Sequence, residues 1–346
     1  MKILQDYTFL EVENYISSVG EKAFRAKQIY NDLYLGKPIS QMTGLSKALR
    51  EKLLLDFVDM PCEIIKELIS FDGTKKFLFK LYDGNVIEGV LMSYKYGNTL
   101  CVSTQVGCRM GCQFCASTIG GLARNLSAGE ILSQVLAVNL HEGGDKKNRK
   151  VTNIVLMGSG EPLDNYENVV KFLRLVSCEC GINISPRNIS LSTCGLVPKM
   201  LELANENLPI NLTVSLHNPF DEKRMEIMPI AKSYKISEIL SACDNFFNKT
   251  GRRYYFEYSL ILGQNDTDEC VERLYTLLKG RPCHINLIRL NDVKEKNLQS
   301  TDDKHAQEFM DKLAKRGLSV TLRRRMGTDI DGACGQLRRR FITEGE

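Results

Sequence analysis

The sequence is poor in histidine, has no long apolar run and carries little net charge, and each shortage removes a class of protein. Four histidines among 346 residues leave no material for a histidine-rich metal site. No apolar stretch approaches the ~18 residues that a membrane-spanning helix needs. The opening MKILQDYTFLEVENYI places acids inside its apolar stretch and offers no small-residue cleavage site, so it does not read as a signal peptide. A cytoplasmic chain is expected. Lys plus Arg exceed Asp plus Glu by only 46 to 42, so a nucleic-acid partner would need a located basic patch rather than bulk charge. What is present in quantity is cysteine, twelve in all. In a reducing compartment these read as metal ligands, reactive thiols or core fillers rather than disulfide staples.

Hydrophobic residues at 43% suffice for a sizeable core. Residues 1–60 read as helical. Phe24, Ile29, Leu33 and Tyr34 keep helical spacing among Lys22, Arg25, Lys27 and Lys37, and a second helix near 45–57 carries Lys47, Arg50 and Lys52. The charge is either a solvated face or a small RNA-binding surface. From 61 to 100 the pattern turns to strands, KKFLFKLY and VIEGVLMSY, joined by Asp83-Gly84 and followed by a second turn at Gly97-Asn98. Glu88 lies inside the middle strand, where periodicity alone favours the solvent side over a site.

Beyond about residue 101 strands and helices alternate to the end, with Ser127 and Glu130 as a capping box opening a helix that runs to about 141. Such alternation implies a parallel sheet with crossover helices. About six strand–helix units fall short of the eight of a closed barrel, so the fold class is α/β, a partial (β/α)6 barrel with a small N-terminal helical domain and a β-hairpin extension. Ligands are expected at the C-terminal ends of its strands.

The chemistry sits there. TLCVSTQ runs into GCRMGCQFC, so Cys108, Cys112 and Cys115 share one glycine-containing loop with spacing C-x3-C-x2-C. Thiolates are the standard ligands of iron–sulfur centres, and a structural zinc site would want a fourth ligand nearby. Three thiolates on a four-iron cluster leave one iron open for a substrate. After NIVLMG comes the turn Gly158-Ser159-Gly160-Glu161-Pro162, whose glycines permit close backbone approach and whose carboxylate can accept from an ammonium group. Taken singly, Cys101 and Cys334 read as a buried small residue or a stray thiol. Arg323–Arg325 and Arg338–Arg340 flank Cys334, as either a solubilising surface or a phosphate-binding one.

The three-cysteine run with Phe114 resembles the radical S-adenosylmethionine (SAM) superfamily. The wider CVSTQVGCRMGCQFCAS…GG…RNLSAGEI, the N-terminal FRAKQIY…LY and the C-terminal DIDGACGQL are similar to the RlmN/Cfr family of radical SAM RNA methyltransferases, and closest to its RlmN branch. The resemblance spans almost the whole chain. It implies a [4Fe-4S] cluster on Cys108, Cys112 and Cys115, and two S-adenosylmethionine molecules per turnover. It also implies cosubstrate contacts from Gly160, Glu161, Ser192, Ser215, Leu216, His217 and Asn291; the family usually has proline two residues before that asparagine, where this chain has Arg289. By the same resemblance Cys334 is the methyl carrier, Cys101 its resolving partner through a transient disulfide, and Glu88 the base. The implied reaction is methylation of carbon 2 of an adenosine in 23S rRNA, near the peptidyl transferase centre, and of the adenosine beside the anticodon in tRNA. A monomer served by an electron donor such as flavodoxin or ferredoxin is expected. Three segments follow: an RNA-binding accessory domain over 1–60, the hairpin extension over 61–100, and the catalytic domain over 101–346. The alternatives are Cfr-like methylation of carbon 8, and a non-catalytic iron–sulfur RNA-binding protein.

Overall fold

The computed structural model describes residues 2–290 and 298–330. Three helices come first: α1 (Phe9–Ser18), α2 (Phe24–Tyr34) and α3 (Lys47–Asp56). Thr8 and Glu11 form a capping box at the start of α1, and the Ser46 hydroxyl caps α3, so these two helices satisfy first-turn amides locally. The buried faces of these helices do not make a core of their own. Val12, Ile16, Ile29, Leu33 and Leu53 belong to the same apolar cluster as the sheet that follows.

That sheet opens as an antiparallel meander of β1 (Cys62–Ile69), β2 (Lys75–Leu81), β3 (Val86–Tyr94) and β4 (Gly97–Cys101). A short hairpin, β5 (Gln105–Gly107) with β6 (Leu122–Asn125), then brackets the cysteine loop. Next come α4 (Ala128–His141), β7 (Asn153–Leu156), α5 (Tyr166–Ser177), β8 (Ile189–Thr193), α6 (Val197–Asn205) and β9 (Asn211–Ser215). The chain continues through α7 (Asp221–Ile227), α8 (Ile236–Thr250), β10 (Tyr254–Leu260), α9 (Asp268–Leu278), β11 (Cys283–Arg289), α10 (Asp303–Lys315) and β12 (Val320–Leu322).

The ten-stranded sheet runs β1-β2-β3-β4-β7-β8-β9-β10-β11-β12, and every pairing from β4 to β12 is parallel. The open α/β barrel read from the alternation is what the chain forms, with the hairpins continuing the same sheet. β4 is the joint, antiparallel to β3 on one side and parallel to β7 on the other. The turn between β1 and β2 also meets the segment after β12: Gly327 donates its N–H to Asp72 at 2.9 Å, and Asp329 accepts from Phe71 at 3.2 Å.

Strand pleating gives the sheet two different faces. Leu100, Ile154, Leu156, Leu191, Val214, Phe256 and Leu287 point into the helix-covered core. The alternate positions are Cys101, Val155, Ser192, Ser215, Glu257, Ser259 and Asn286, a largely polar set.

Gln134 of α4 fastens the joint. Its side-chain carbonyl accepts the Ser103 N–H at 2.9 Å and its amide donates to the Ser103 carbonyl at 2.9 Å, with both residues fully buried. Gln134→Leu would strand both backbone groups, so we expect it to cost about 2–6 kcal/mol, since each buried unsatisfied group costs about 1–3 kcal/mol. A shift of the urea midpoint at unchanged slope measures this; wild-type stability would show that the clasp carries no weight.

Candidate active site

β5 ends at Gly107, whose φ of +82° and position are closed to other residues: a Cβ there would lie 2.0 Å from the Gly121 carbonyl oxygen. The loop that follows is shut by the Cys108 N–H donating to that same carbonyl at 2.9 Å. Cys108, Cys112 and Cys115 all line one cavity of about 350 Å³ at the C-terminal ends of the parallel strands. Three thiols with no fourth cysteine or histidine in the loop suit an iron–sulfur cluster better than a structural zinc site. Burial, together with the nearby Cys115, Glu161 and Asp164, pushes the Cys108 thiol up to about 12, and burial raises Cys112 further. These thiols ionise only with a cation to receive them, which iron supplies. The residues present therefore fit the cluster that the loop implies.

The glycine turn forms the neighbouring wall. A Cβ on Gly158 would meet the Val102 carbonyl oxygen at 2.6 Å, and one on Gly160 (φ +108°) would meet the Gln105 Cβ at 2.6 Å. Only glycine lets the turn lie so close to the cysteine-bearing strand. Glu161 reaches into the cavity; its carboxylate accepts the Leu163 and Cys194 N–H groups at 3.0 and 2.7 Å, and burial raises its pKa against those bonds. Ser192 and Ser215 line the same space.

His217 follows in the left-handed region (φ +54°), with its ring edge-on to Phe114 at 4.5 Å. Its Nδ1 accepts the Ser259 N–H at 2.9 Å, so the proton of the neutral ring sits on Nε2. Burial, helped by the charge of Arg224, pushes His217 down to about 3. It is a neutral donor here and not an acid.

The structure does not bring the Leu216 side chain to the cavity. It points into the main core, with its N–H given to the Glu257 carbonyl and its own carbonyl held by Arg224 Nε at 3.1 Å. Asn291 and Cys334 lie outside the described residues.

Cys101 lines the cavity. Glu88 stands two residues before Val90, the register partner of Cys101, and so shares its face of the sheet. The expectation that Glu88 faces solvent fails: it is 1% exposed, with Lys76 Nζ 3.5 Å from its Oε2 and itself 0% exposed. The face opposite the core is covered, so period-two alternation misleads there. Glu88 lies beside the cavity rather than on its wall.

Sequence reading missed Lys76, Glu257 and Arg224. Glu257 lines the cavity with its Oε1 accepting from Asn286 at 3.0 Å, and the signal for it was the same as for Glu88, an acid inside an apolar strand. Arg323–Arg325 also border the cavity, with Arg324 and Arg325 exposed; Arg338–Arg340 lie outside the described residues.

An open parallel sheet with three loop thiols at its strand ends defines a radical SAM protein, and the Radical SAM superfamily model matches residues 102–278. The ribosomal RNA large subunit methyltransferase N-terminal domain matches residues 3–58. Two relatives, from Clostridium botulinum (strain Eklund 17B / Type B) and Clostridium perfringens (strain 13 / Type A), are each 52% identical. They align over 100% and 99% of this chain and 99% and 98% of their own lengths. Both are named probable dual-specificity RNA methyltransferase RlmN. A crystal structure of a radical SAM methyltransferase from Sphaerobacter thermophilus superposes with a TM-score of 0.92 at 41% identity, covering 97% of this chain and 99% of that one. The chain belongs to the RlmN family of radical SAM methyltransferases.

His217 also makes stability pH-dependent. Its folded pKa lies below the ordinary value of 6.5, so the unfolded chain takes up the proton first, and stability falls as pH drops from 6.5 toward 3. His217→Gln should lose about 2 kcal/mol less than wild type between pH 7 and 5, as denaturant midpoints at the two pH values would record. Equal losses would contradict a buried neutral ring.

Proposed function

We propose that the chain methylates carbon 2 of an adenosine in 23S rRNA, near the peptidyl transferase centre, and of the adenosine beside the anticodon in tRNA. The observation that carries this reading is Cys101, a thiol on the wall of the cavity that holds the three loop cysteines, sharing its sheet face with buried Glu88. Relatives of the same length that are named dual-specificity RNA methyltransferases support it.

When bound, the [4Fe-4S] cluster on Cys108, Cys112 and Cys115 and two S-adenosylmethionine molecules per turnover supply a methyl group and a 5′-deoxyadenosyl radical. Gly160, Glu161, Ser192, Ser215, Leu216, His217 and Asn291 hold the cosubstrate. Glu161 offers its carboxylate to the methionyl ammonium, and His217 offers Nε2–H as a neutral donor; Leu216, anchored in the core between them, sets the positions of Ser215 and His217.

Cys334 carries the methyl group as a thioether, and loss of a hydrogen atom from it leaves a carbon radical that bonds to the adenine ring. Carbon 2 of adenine is electrophilic, which is why a radical rather than an ordinary displacement is needed. Glu88, oriented by Lys76, takes the ring proton, and the odd electron left on the adduct would pass to the cluster, which is able to accept it once cleavage of the cosubstrate has left it oxidised. The Cys101 thiolate attacks the Cys334 sulfur; a sulfur–sulfur bond forms, the sulfur–carbon bond to the RNA breaks, the freed carbon takes up a proton to become the methyl group, and the product leaves. The target base enters the cavity unpaired or flipped.

Residues 1–60 serve as an RNA-binding accessory domain and 61–100 as an extension of the 101–346 catalytic domain. The protein works in the cytoplasm as a monomer, reduced by a flavodoxin or ferredoxin. Arg323–Arg325 and Arg338–Arg340 orient the RNA through its phosphates.

Mass spectrometry of nucleosides from treated RNA tests the regiochemistry, with 2-methyladenosine expected and 8-methyladenosine pointing to the Cfr-like reaction. Cys101→Ala should stop turnover and accumulate a covalent protein–RNA complex on denaturing gels. Free turnover without that complex would sink the mechanism. Glu88→Gln should slow product formation by about 10²–10⁴-fold, the usual worth of a general base. Arg324→Ala should lower the salt dependence of RNA binding by about one phosphate contact, read from the slope of log affinity against log salt. An unchanged slope would remove Arg324 from the RNA surface.

A further inference from the structure

Arg224, the fourth residue of α7, is 0% exposed, yet it has no carboxylate partner within 4.0 Å among the described residues. Its Nε donates to the Leu216 carbonyl at 3.1 Å, and its Nη2 donates to the carbonyls of Cys194 at 2.7 Å and Ser215 at 3.0 Å. Nη1 is equally buried and has no partner among the described residues. The nearest acids are engaged elsewhere. Asp221 accepts the Ile236 N–H, and Glu161 accepts the N–H groups of Leu163 and Cys194.

Carbonyl dipoles alone do not compensate a fully buried guanidinium. Burying a charge is costly unless it is paired, and neutral donors could satisfy three carbonyls without that cost. The position of the side chain identifies the missing anion. The last residue of α7 is bonded to the cysteine loop, Gln113 N–H to the Ile227 carbonyl at 2.9 Å. Cys112 packs with Cys194, Ile227 and Met228 in one small cluster beside it. The Arg224 charge reaches both thiols and favours their ionised forms, while burial works against the charge of Arg224 itself.

We propose that Arg224 is the buried counter-cation of the cluster on Cys108, Cys112 and Cys115, and that it eases the cluster's one-electron reduction. The proposal rests on the reading that those three thiolates carry a four-iron cluster. Such an assembly is anionic and gains one further negative charge when an external one-electron donor reduces it. A fixed positive charge in a low-dielectric setting stabilises the reduced state more than the oxidised one. Arg224 thus acts as a positioning and tuning residue, through the cluster and not on the substrate.

The test is a redox titration of the anaerobically reconstituted full-length protein, followed by electron paramagnetic resonance, with iron and sulfide counted in every sample. Arg224→Gln and Arg224→Met, fully loaded, are expected to have midpoints more negative than wild type. Arg224→Lys keeps the charge while changing the carbonyl contacts, and is expected to stay near wild type. A loaded Gln or Met variant with an unchanged midpoint overturns the proposal, and so do equal shifts in the Lys and Gln variants, which would trace the effect to packing. If the neutral variants do not fold, Arg224→Lys decides alone: a wild-type midpoint supports the proposal and a markedly lower one overturns it. Running each titration with and without S-adenosylmethionine adds an arm. Midpoints that match wild type without the cosubstrate, beside weakened cosubstrate binding, would reassign Nη1 to its carboxylate and overturn the cluster role. A wild-type chain that takes up no iron overturns the cluster reading itself, an outcome distinct from a loaded cluster that ignores Arg224.

Discussion

The grip of Gln134 on Ser103 is the contact on which the catalytic geometry depends. Ser103 lies between Cys101 and the cysteine loop, and α4 holds both its backbone N–H and its carbonyl. Its hydroxyl donates to the Glu88 carbonyl at 2.7 Å and accepts the Ser159 N–H at 2.9 Å. One small residue therefore ties together the strand of the proposed base, the strand of the proposed resolving thiol, and the glycine turn. The turn is held further along, because Thr104 and Gln105 both donate to the Ser159 carbonyl and the Gln105 side chain accepts from Glu161. Every one of these bonds lies in the interior, where a missing partner is expensive and a made one is rigid.

The cavity above this framework has several buried charges in and around it. Glu161, Glu257 and Arg224 are buried near it, and the Lys76–Glu88 pair lies beside it. Their arrangement separates two kinds of work. Glu161 and His217 sit next to the thiol loop, whose Phe114 meets the histidine ring edge-on. Glu88 and Cys101 lie on the meander side of the joint strand, reached through Val90, Met92 and Met157. The parallel half of the sheet thus frames the cluster side, and the antiparallel half frames the side proposed for the RNA base.

Much of this was legible in the residues. The capping box at Ser127 and Glu130 marked α4, the alternation of apolar strands and amphipathic helices marked the open barrel, and three thiols in eight residues marked the chemistry. What escaped did so for a common reason. A period of two says that side chains alternate, but not what covers each face, so Glu88 looked like a solvent residue, and its partner Lys76 drew no notice, while both are buried. Arg224 sits in DEKRMEI, a stretch that reads as a polar surface turn, and only the packing of α7 behind the cysteine loop takes it inside. Leu216 shows the converse: a motif position adjacent to the cavity whose side chain belongs to the core.

The two-faced sheet has a consequence for how such a chain can change. Core and cavity residues are interleaved along the same strands, so the loss or gain of one residue within β8, β9 or β10 would exchange the faces, sending Ser215 or Glu257 into the helices and Val214 or Phe256 into the cavity. Substitutions can tune either face independently, but changes in length cannot be absorbed there. Room for growth lies at the opposite rim, where the helices feed back into the strands away from the thiols. There a lineage could add or delete segments, or accept a grafted domain, without moving a catalytic atom.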